Sequence, residues 1–273
     1  MKAVRFHEHG DASVLRYEDA PEPQVLAGEV LVRVRACALN HLDIWGRRGL
    51  PGVRIGMPHI CGSDVAGEVA QSAVPDVPPG RRVLIQPGMS CGRCPMCLAG
   101  RDNECPQYEV LGYRSHQGGY AEYVKVPLQN IVSIPDDLGF AQAAAFPLTF
   151  VTAWHMLMNR AQLKRGVDIV VEHVGEATWA KSVKSLARGG RLVTCGATTG
   201  PDGAIDLRHL FARQLSILGS YMGTKAELLR AARFFFAGQL KPVVDRTFPL
   251  AEAAAAQRRM EDREQFGKIV LEV

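Results

Sequence analysis

The sequence predicts an α/β protein in which a β-rich N-terminal domain is joined to a smaller domain built on a parallel sheet. Residues 1–135 contain short segments of β-branched and alternating character, which Gly and Pro interrupt. From Ala141 onward, helical segments alternate with short apolar strands, which is typical of a parallel sheet covered by helices. In addition, four of the seven cysteines fall in one loop between Cys91 and Cys105.

In the β-rich part, two segments have the alternation of half-buried strands. They cover residues 29–36 and 120–126, which combine alternation with β-branched residues. A turn at residues 76–80, which contains two prolines and a glycine, leads into a further strand at residues 82–85.

The second half begins with two segments of helical composition and spacing, at residues 141–146 and 152–158. Strands with covering helices follow. The strands are predicted at residues 168–172, 191–195 and 215–219, and the helices at residues 178–187 and 225–237. A helix at residues 250–263 and a strand at residues 268–273 are predicted last.

The composition is that of an ordinary globular protein and excludes several functional classes. Hydrophobic residues make up 47% and charged residues 22% of the 273 positions. No run of about 18 apolar residues occurs, so we expect no membrane span. The formal charge is +4, and the basic and acidic residues are interspersed along the chain. Arginine pairs such as Arg47 and Arg48 are isolated and do not form a basic stripe. We therefore expect no nucleic-acid partner.

The clustered cysteines have the spacing of a metal site, C-x2-C-x2-C-x7-C. They are Cys91, Cys94, Cys97 and Cys105. Four thiolates on one short loop can close a tetrahedral shell around Zn²⁺ with no open position, so we expect one structural zinc per chain. Two disulfides or a redox role are the alternatives, and disulfides would require an oxidising compartment. Because the first residues contain no apolar h-region, we expect a cytoplasmic location.

Several short motifs occur in the order in which a known family has them. They are residues 40–43 (NHLD), 62–69 (GSDVAGEV), 118–123 (GGYAEY), 152–153 (TA) and 266–270 (FGKIV), together with the cysteine series. With these motifs the chain resembles the medium-chain dehydrogenase/reductase superfamily, which includes zinc-type alcohol dehydrogenases and quinone oxidoreductases. The resemblance implies a GroES-like domain of residues 1–150 and 241–273, with the zinc lobe at about 88–108, and a Rossmann-like cofactor domain at 151–240.

The first departure from this family concerns the catalytic metal. In the family's alcohol dehydrogenases a cysteine, a histidine and a later cysteine or acid bind a second zinc, and the resemblance places Asn40, Ser63 and approximately Leu148 at these positions. None of them supplies a thiolate or an imidazole, so we expect no catalytic zinc. Asn40 and Asp43 without such a zinc resemble the quinone reductase branch, in which they would shape the substrate pocket. The alternative for these two residues is a turn and a helix cap.

The second departure concerns the cofactor fold. A dinucleotide-binding unit carries G-x-G-x-x-G between its first strand and helix. Here residues 161–166 run directly into residues 167–175, which resemble the family's fourth Rossmann strand. The following loop contains a single glycine, Gly175, and Trp179 would obstruct the approach to a pyrophosphate. One mononucleotide-binding half, about 70 residues at roughly 30 or more for each βαβ unit, is missing.

The missing half has consequences for the sheet. The Rossmann-type sheet is reduced to about three to five strands and lacks the switch point across which a dinucleotide lies. The strand at residues 168–172 becomes an edge with unpaired N–H and C=O groups, which favours pairing with another chain. We therefore expect a homo-oligomer.

By resemblance the chain is a zinc-binding oxidoreductase, an NAD(P)H-dependent reductase of a quinone or conjugated carbonyl, and its substrate is a small molecule. Four residues at the carboxyl ends of the strands would flank the nicotinamide, with Thr152 against the same ring: Gly175, Gly196, Gly219 and Tyr221. Because the phosphate anchor is missing, NAD(P) should bind weakly. The alternative is a non-catalytic relative, either an assembly module whose fold zinc stabilises or a damaged gene product. The coding DNA around residues 165–167 would reveal an error in the sequence.

Overall fold

The computed structural model describes residues 1–72, 77–163 and 168–273. The chain separates into two units: the first comprises Met1–Thr149 and Leu229–Val273, and the second comprises Phe150–Leu228. The predicted turn at residues 76–80 lies partly outside the described residues. The predicted junction at residues 165–167 lies wholly outside them.

Strands and helices alternate along the chain much as the sequence predicts. The strands are β1 (Lys2–Arg5), β2 (Arg16–Asp19), β3 (Glu29–Ala38), β4 (Asp64–Ser72), β5 (Arg82–Ile85), β6 (Gly88–Met89), β7 (Glu109–Val110), β8 (Tyr123–Pro127), β9 (Ile131–Ser133), β10 (Ile169–Glu172), β11 (Arg191–Thr194), β12 (Ser216–Gly219), β13 (Val244–Pro249) and β14 (Lys268–Glu272). The helices are α1 (His41–Arg48), α2 (Pro95–Leu98), α3 (Phe140–Ala144), α4 (Pro147–Trp154), α5 (Glu176–Ser185), α6 (Leu207–Ala212), α7 (Lys225–Phe236) and α8 (Ala253–Glu261).

The first unit is built on a seven-stranded sheet with the spatial order β13-β14-β3-β4-β5-β9, in which β8 also pairs with β3. Strand β3 is central because its alternate valines, Val30, Val32 and Val34, are buried in the main hydrophobic core. It extends past the predicted residue 36 to Ala38, since both β4 and β14 pair with its last residues.

The second unit contains a parallel sheet of three strands in the order β10-β11-β12. Leu192 of the middle strand is buried in one cluster with Val183, which lies in α5, and Leu186, which directly follows that helix. The predicted reduced parallel sheet is confirmed. Strand β10 lies at one edge of it, and Val171 on this strand is 47% exposed.

Two predicted helices differ from the observed ones. The segment predicted at residues 152–158 is the end of α4 followed by a π-helical turn, His155–Arg160. In this turn His155 and Asn159 both hydrogen-bond the buried carboxylate of Glu227, which the sequence pattern could not show. The last predicted helix begins with a 3-10 turn, Leu250–Glu252, before α8. Among the described residues, none of the helices has both the length and the apolar character that crossing a bilayer requires.

Candidate functional site

The four cysteine sulfurs converge in one lobe of the first unit, and all of them lie within 4.8 Å of one another. The Sγ atoms of Cys94 and Cys97 are 3.5 Å apart. Those of Cys91 are 3.6 Å from Cys105 and 3.9 Å from Cys97. A zinc tetrahedron with Zn–S bonds of about 2.3 Å has S–S edges of about 3.8 Å, whereas a disulfide requires about 2 Å. The geometry therefore fits zinc and not disulfides.

The local structure of the lobe brings these sulfurs together. Gly92 and Gly100 adopt φ angles of 71° and 72°, a left-handed conformation that lets the loop turn without strain. Cys94 precedes α2, and its Sγ accepts a backbone N–H from the first turn of that helix. Hydrogen bonds from the backbone N–H groups of Arg93 and Cys94 lower the pKa of Cys91 to about 6. A lowered pKa favours the thiolate form that binds zinc.

A second polar cluster of the first unit includes Asn40, one of the three residues that the resemblance relates to a catalytic zinc. The Nζ atom of Lys268 donates to Oδ1 of Asn40 at 2.7 Å and to Oδ2 of Asp64 at 3.0 Å. Nδ2 of Asn40 donates to the same oxygen of Asp64 at 3.0 Å. Asp64 is fully buried, and the side chain of Lys268 is 14% exposed. The cluster therefore holds the ammonium group of Lys268 against the side chains of Asn40 and Asp64.

The other two positions related to the catalytic zinc have structural contacts. Oγ of Ser63 donates to the carbonyl oxygen of Leu111 at 2.7 Å. The backbone N–H of Leu148 donates to Oδ1 of Asp64 at 2.8 Å. Asn40 and Leu148 thus both contact Asp64, whereas the hydroxyl of Ser63 bonds to Leu111, and the expected lack of a catalytic zinc stays a prediction.

Asp43 is a buried residue in the first turn of α1. Its carboxylate accepts hydrogen bonds from the N–H of Asn40 at 2.8 Å, the N–H of Gly62 at 3.0 Å and the hydroxyl of Tyr120 at 3.1 Å. The contact with the N–H of Asn40 is part of a capping box at the N-terminus of α1. Burial raises the pKa of Asp43 to about 6, and the hydrogen bonds from Asn40 and Gly62 oppose this rise. The capping box accounts for the contact with Asn40, and a role of Asp43 in a substrate pocket stays a prediction.

A pocket of about 570 Å³ opens at the carboxyl ends of β10, β11 and β12 in the second unit. Four of the residues predicted to flank a nicotinamide line it: Gly175, Gly196, Gly219 and Tyr221. The fifth, Thr152, is not among the described residues that line this pocket, and its Oγ1 lies 4.0 Å from the sulfur of Met222. The structure thus brings four of the five residues together.

Glu172, the last residue of β10, directs its carboxylate into the start of α5. One carboxylate oxygen accepts the backbone N–H groups of Val174 at 2.7 Å and Gly175 at 3.1 Å. The other accepts the hydroxyls of Thr178 at 2.9 Å and Ser182 at 2.5 Å. Burial disfavours the charged form, but these hydrogen bonds outweigh it and lower the pKa of Glu172 to about 2. Glu172 is therefore ionised and firmly held.

Sequence reasoning did not single out Asp64, Lys268 or Glu172 as site residues. A signal for them exists, because each is a charged residue inside or at the end of an apolar strand, where burial requires partners. The pattern does not identify those partners, since they come from distant segments or from the following loop.

Comparisons with known proteins agree with this geometry. Residues 26–136 match the family of the alcohol dehydrogenase GroES-like domain, and residues 141–271 match the family of zinc-binding dehydrogenases. An alcohol dehydrogenase of Geobacillus stearothermophilus is 27% identical over 342 residues, which span 100% of this chain and 99% of that enzyme. Because this chain has 273 residues, about 69 of the aligned positions have no counterpart in it. An acryloyl-coenzyme A reductase of Metallosphaera sedula is 24% identical over 337 residues, 99% of each chain.

Solved structures give the same result. The crystal structure of an NAD-dependent alcohol dehydrogenase is 35% identical, with a TM-score of 0.92 and 100% of both chains covered. A cobalt- and zinc-bound thermostable alcohol dehydrogenase from Pyrobaculum aerophilum is 28% identical, also with a TM-score of 0.92, over 100% of this chain and 99% of that one. With the converging cysteines, these likenesses confirm the predicted structural zinc.

Proposed function

Because the chain belongs to the medium-chain dehydrogenase/reductase superfamily, we propose that it is an NAD(P)H-dependent reductase of a quinone or another conjugated carbonyl. We further propose that it works without a catalytic zinc. The observation that carries this proposal is the cluster of Asn40, Asp64 and Lys268, in which an amide occupies the position related to a thiolate ligand and an ammonium group lies against it.

The chemistry of a conjugated carbonyl is compatible with such a site. When bound, the reduced nicotinamide supplies a hydride to the electron-poor carbon of the substrate. Negative charge then develops on the carbonyl oxygen, and N–H donors can stabilise it without a Lewis acid. Asn40 and Asp43 shape the substrate site in this proposal, and Lys268 holds the amide of Asn40 in one orientation through its 2.7 Å contact with Oδ1.

The structural zinc has a separate role. Cys91, Cys94, Cys97 and Cys105 would hold the ion with four thiolates and leave no coordination position for a substrate. The ion therefore stabilises the lobe and takes no part in hydride transfer.

Relatives support the substrate class. The acryloyl-coenzyme A reductase of Metallosphaera sedula is named for an acyl group in which a carbonyl is conjugated with an alkene. The same applies to the crotonyl-CoA carboxylase/reductase of Cereibacter sphaeroides, which is 24% identical over 358 residues. Alcohol dehydrogenases are relatives too, so alcohol oxidation is the competing activity that the experiment must distinguish from carbonyl reduction.

The test follows NADPH and NADH oxidation with benzoquinone and with a simple enone, and NAD⁺ reduction with short alcohols. We expect reduction of a quinone or enone, no alcohol oxidation, and one zinc per chain. Asn40→Ala should lower the rate, whereas Asn103→Ala in the cysteine lobe serves as the matched control. Alcohol oxidation that depends on a second equivalent of zinc would overturn the proposal.

The second candidate is that the chain is a non-catalytic relative whose fold is stabilised by zinc. The observation that favours it is the set of about 69 aligned positions without a counterpart in this chain. Their number matches the missing half of the cofactor domain, and a dinucleotide fold has its phosphate loop in that half. A folded protein with one zinc, no turnover and no binding of NADH or NADPH up to millimolar concentration would support this candidate.

A further inference from the structure

The first unit contains a pocket of about 1130 Å³ that is separate from the clusters described above. Its described lining residues include none of the four zinc-site cysteines and none of Asn40, Asp64 and Lys268. Four parts of the chain form its walls: β1 with the residues that follow β2, the segment after α1, the loop after β7, and β8. A cavity of this size can take a small organic molecule.

Hydrogen bonds hold two of these walls together. In the loop after β7, Nε2 of Gln117 donates to the carbonyl oxygen of Pro58 at 3.2 Å, and Oε1 of Gln117 accepts the N–H of Ile60 at 2.6 Å. The N–H of Gly118 donates to the carbonyl oxygen of Ile60 at 2.8 Å. The segment after α1 and the loop after β7 are therefore fixed against each other, so this side of the pocket is preformed.

Part of the lining is apolar. Ile60 and Val124, which are 4% and 2% exposed, belong to the main hydrophobic core and line the pocket where it meets that core. Pro21, Met57 and Pro58 are exposed and add further apolar surface. Proline loses no side-chain entropy when a ligand covers it. This part of the lining can therefore bind an apolar chain or ring.

The lining is also charged, with four basic and two acidic side chains among the described residues: Arg5, Arg54, Arg114, Lys125, Glu22 and Glu109. Two of the basic side chains have acidic partners outside the lining. Arg5 pairs with Glu18 at 2.7 Å, and Lys125 pairs with Glu29 at 3.0 Å. These two therefore add little net charge to the pocket.

The other two basic side chains, Arg54 and Arg114, have no carboxylate partner within residues 1–72, 77–163 and 168–273. Of the acidic side chains, Glu109 accepts the N–H of Ser115 at 3.4 Å and also its hydroxyl. Glu22 is the remaining carboxylate, and no described residue pairs with it. The unpaired lining charges are therefore two guanidinium groups against one carboxylate, a balance that favours an anion.

Arg54 and Arg114 lie on neighbouring segments. A Cβ atom on Gly46 would be 3.6 Å from side-chain atoms of both Ile55 and Tyr113, the residues next to the two arginines. Arg114 adopts a φ of 66°, a left-handed conformation that is unfavourable for residues other than glycine. Strained backbone of this kind is concentrated at sites that hold a ligand. The two guanidinium groups are thus placed to contact one ligand.

We propose that this pocket binds a small amphipathic anion, a molecule that carries a carboxylate or a phosphate on an apolar chain or ring. Guanidinium groups form paired hydrogen bonds to either anion, and Arg54 and Arg114 supply them. The apolar part of the ligand lies against Ile60 and Val124. The site is separate from the residues of the proposed hydride transfer, so the failure of either assignment leaves the other standing.

The first experiment compares head groups on one apolar chain. Isothermal titration calorimetry of the wild-type protein uses octanoate, octyl phosphate, 1-octanol and octyltrimethylammonium. We expect one anion per chain, bound about tenfold or more tightly than the alcohol and the cation. Tighter binding of octanoate identifies a carboxylate ligand, and tighter binding of octyl phosphate identifies a phosphate ester. Equal affinity for all four compounds, or no saturable binding up to about 10 mM, would overturn the proposal.

The same titration with butanoate tests the apolar part of the site. Octanoate has four more CH₂ groups than butanoate, and each one that is buried tightens binding about threefold to fourfold. We expect octanoate to bind about tenfold or more tightly, since part of the chain stays in solvent. Equal binding of the two acids would show a plain charge effect and contradict the proposed pocket.

The second experiment removes the two guanidinium groups. Arg54→Gln is combined with Arg114→Asn, because asparagine tolerates the left-handed conformation at this position. We expect octanoate to bind about tenfold or more weakly and octanol to bind as before. The matched control is Arg230→Gln with Arg233→Gln, which removes the same charge from exposed positions of α7. An equal loss in both double variants would mean that net charge alone attracts the anion, and the site would be wrong.

A third pair of variants locates the site. A Cβ atom at Gly56, which lines the pocket, would meet no atom within 4 Å, so Gly56→Leu puts a side chain into free space. We expect it to weaken octanoate binding about tenfold. Gly219→Leu is the control, because a Cβ there is equally unhindered but lines the pocket of the second unit. Normal binding by Gly56→Leu together with lost binding by Gly219→Leu would place the anion in the second unit and overturn the assignment.

Discussion

The Nζ atom of Lys268 lies 3.0 Å from Oδ2 of Asp64, although the two residues are 204 positions apart in the sequence. The contact joins the first residue of β14 to the first residue of β4, two strands that flank β3. Because Asp64 is fully buried, its charge depends on this partner, on Asn40 and on the N–H of Leu148. The pair therefore contributes both to the stability of the first unit and to the polarity of the proposed substrate site.

Replacing Lys268 should destabilise the protein strongly. Lys268→Met leaves the carboxylate of Asp64 buried without its counter-charge, which costs about 3–5 kcal/mol in comparable buried pairs. Urea unfolding measures this cost. Lys268→Met with Asp64→Asn should recover a large part of it, because the uncompensated charge is then gone.

The control is Lys125→Met, because Lys125 forms a more exposed pair with Glu29 and its side chain is 36% exposed. This substitution should cost less than about 1 kcal/mol. Equal effects of the two lysine substitutions would show that the buried pair has no special role.

Removing zinc ligands should abolish metal binding. Cys94→Ser with Cys97→Ser leaves two thiolates, which is too few for a closed shell. We expect the zinc content to fall from one ion per chain to none, and the lobe to lose its resistance to proteolysis, since metal binding and folding are coupled in such sites. Cys195→Ser should keep one zinc. Two zinc ions in the wild-type chain, or one in the double variant, would contradict the assignment.

Stability should depend on pH through Asp43. Its pKa is about 6 in the folded protein and has the ordinary value of 3.8 when unfolded. Between these values the folded protein binds more protons, so stability falls as pH rises from about 4 to about 6. A shift of roughly two units corresponds to about 3 kcal/mol.

The variant Asp43→Asn does not titrate, so it isolates this effect. The free energy of unfolding of the wild type minus that of the variant should decrease across this pH range and be constant above it. Urea unfolding at a series of pH values measures the difference. A difference that does not change with pH would show that Asp43 keeps its ordinary pKa.

The edge strand β10 should make the protein self-associate. Val171 on this strand is 47% exposed, and the strand pairs with β11 on one side of it. We expect a dimer or larger species in light scattering at micromolar concentration. Val171→Lys should shift it to a monomer, because a lysine on an edge discourages strand pairing.

Val243→Lys is the matched control, because Val243 is 53% exposed in the first unit. This variant should associate like the wild type. A monomeric wild type would mean that the edge does not drive assembly.

Much of the fold could be predicted because strands, turns and helices depend on residues close together in the sequence. Strand β5 begins and ends at the predicted residues, and β10, β11 and β12 each lie within one residue of their predicted bounds. The zinc site was predictable for the same reason, since its ligands come from one short loop. The capping role of Asp43 was one of two alternatives, and the sequence did not distinguish them.

The sequence by itself determined the family, the order of the elements, the cysteine ligands and the loss of one half of the cofactor domain. Only the tertiary structure decided which charges meet. Lys268 and Asp64 become neighbours because β14 and β4 both border β3, and the carboxylate of Glu172 reaches α5 because the chain turns sharply at Gly175. The physical reason is that a buried charge requires partners, and the identity of those partners depends on packing between segments that the sequence separates.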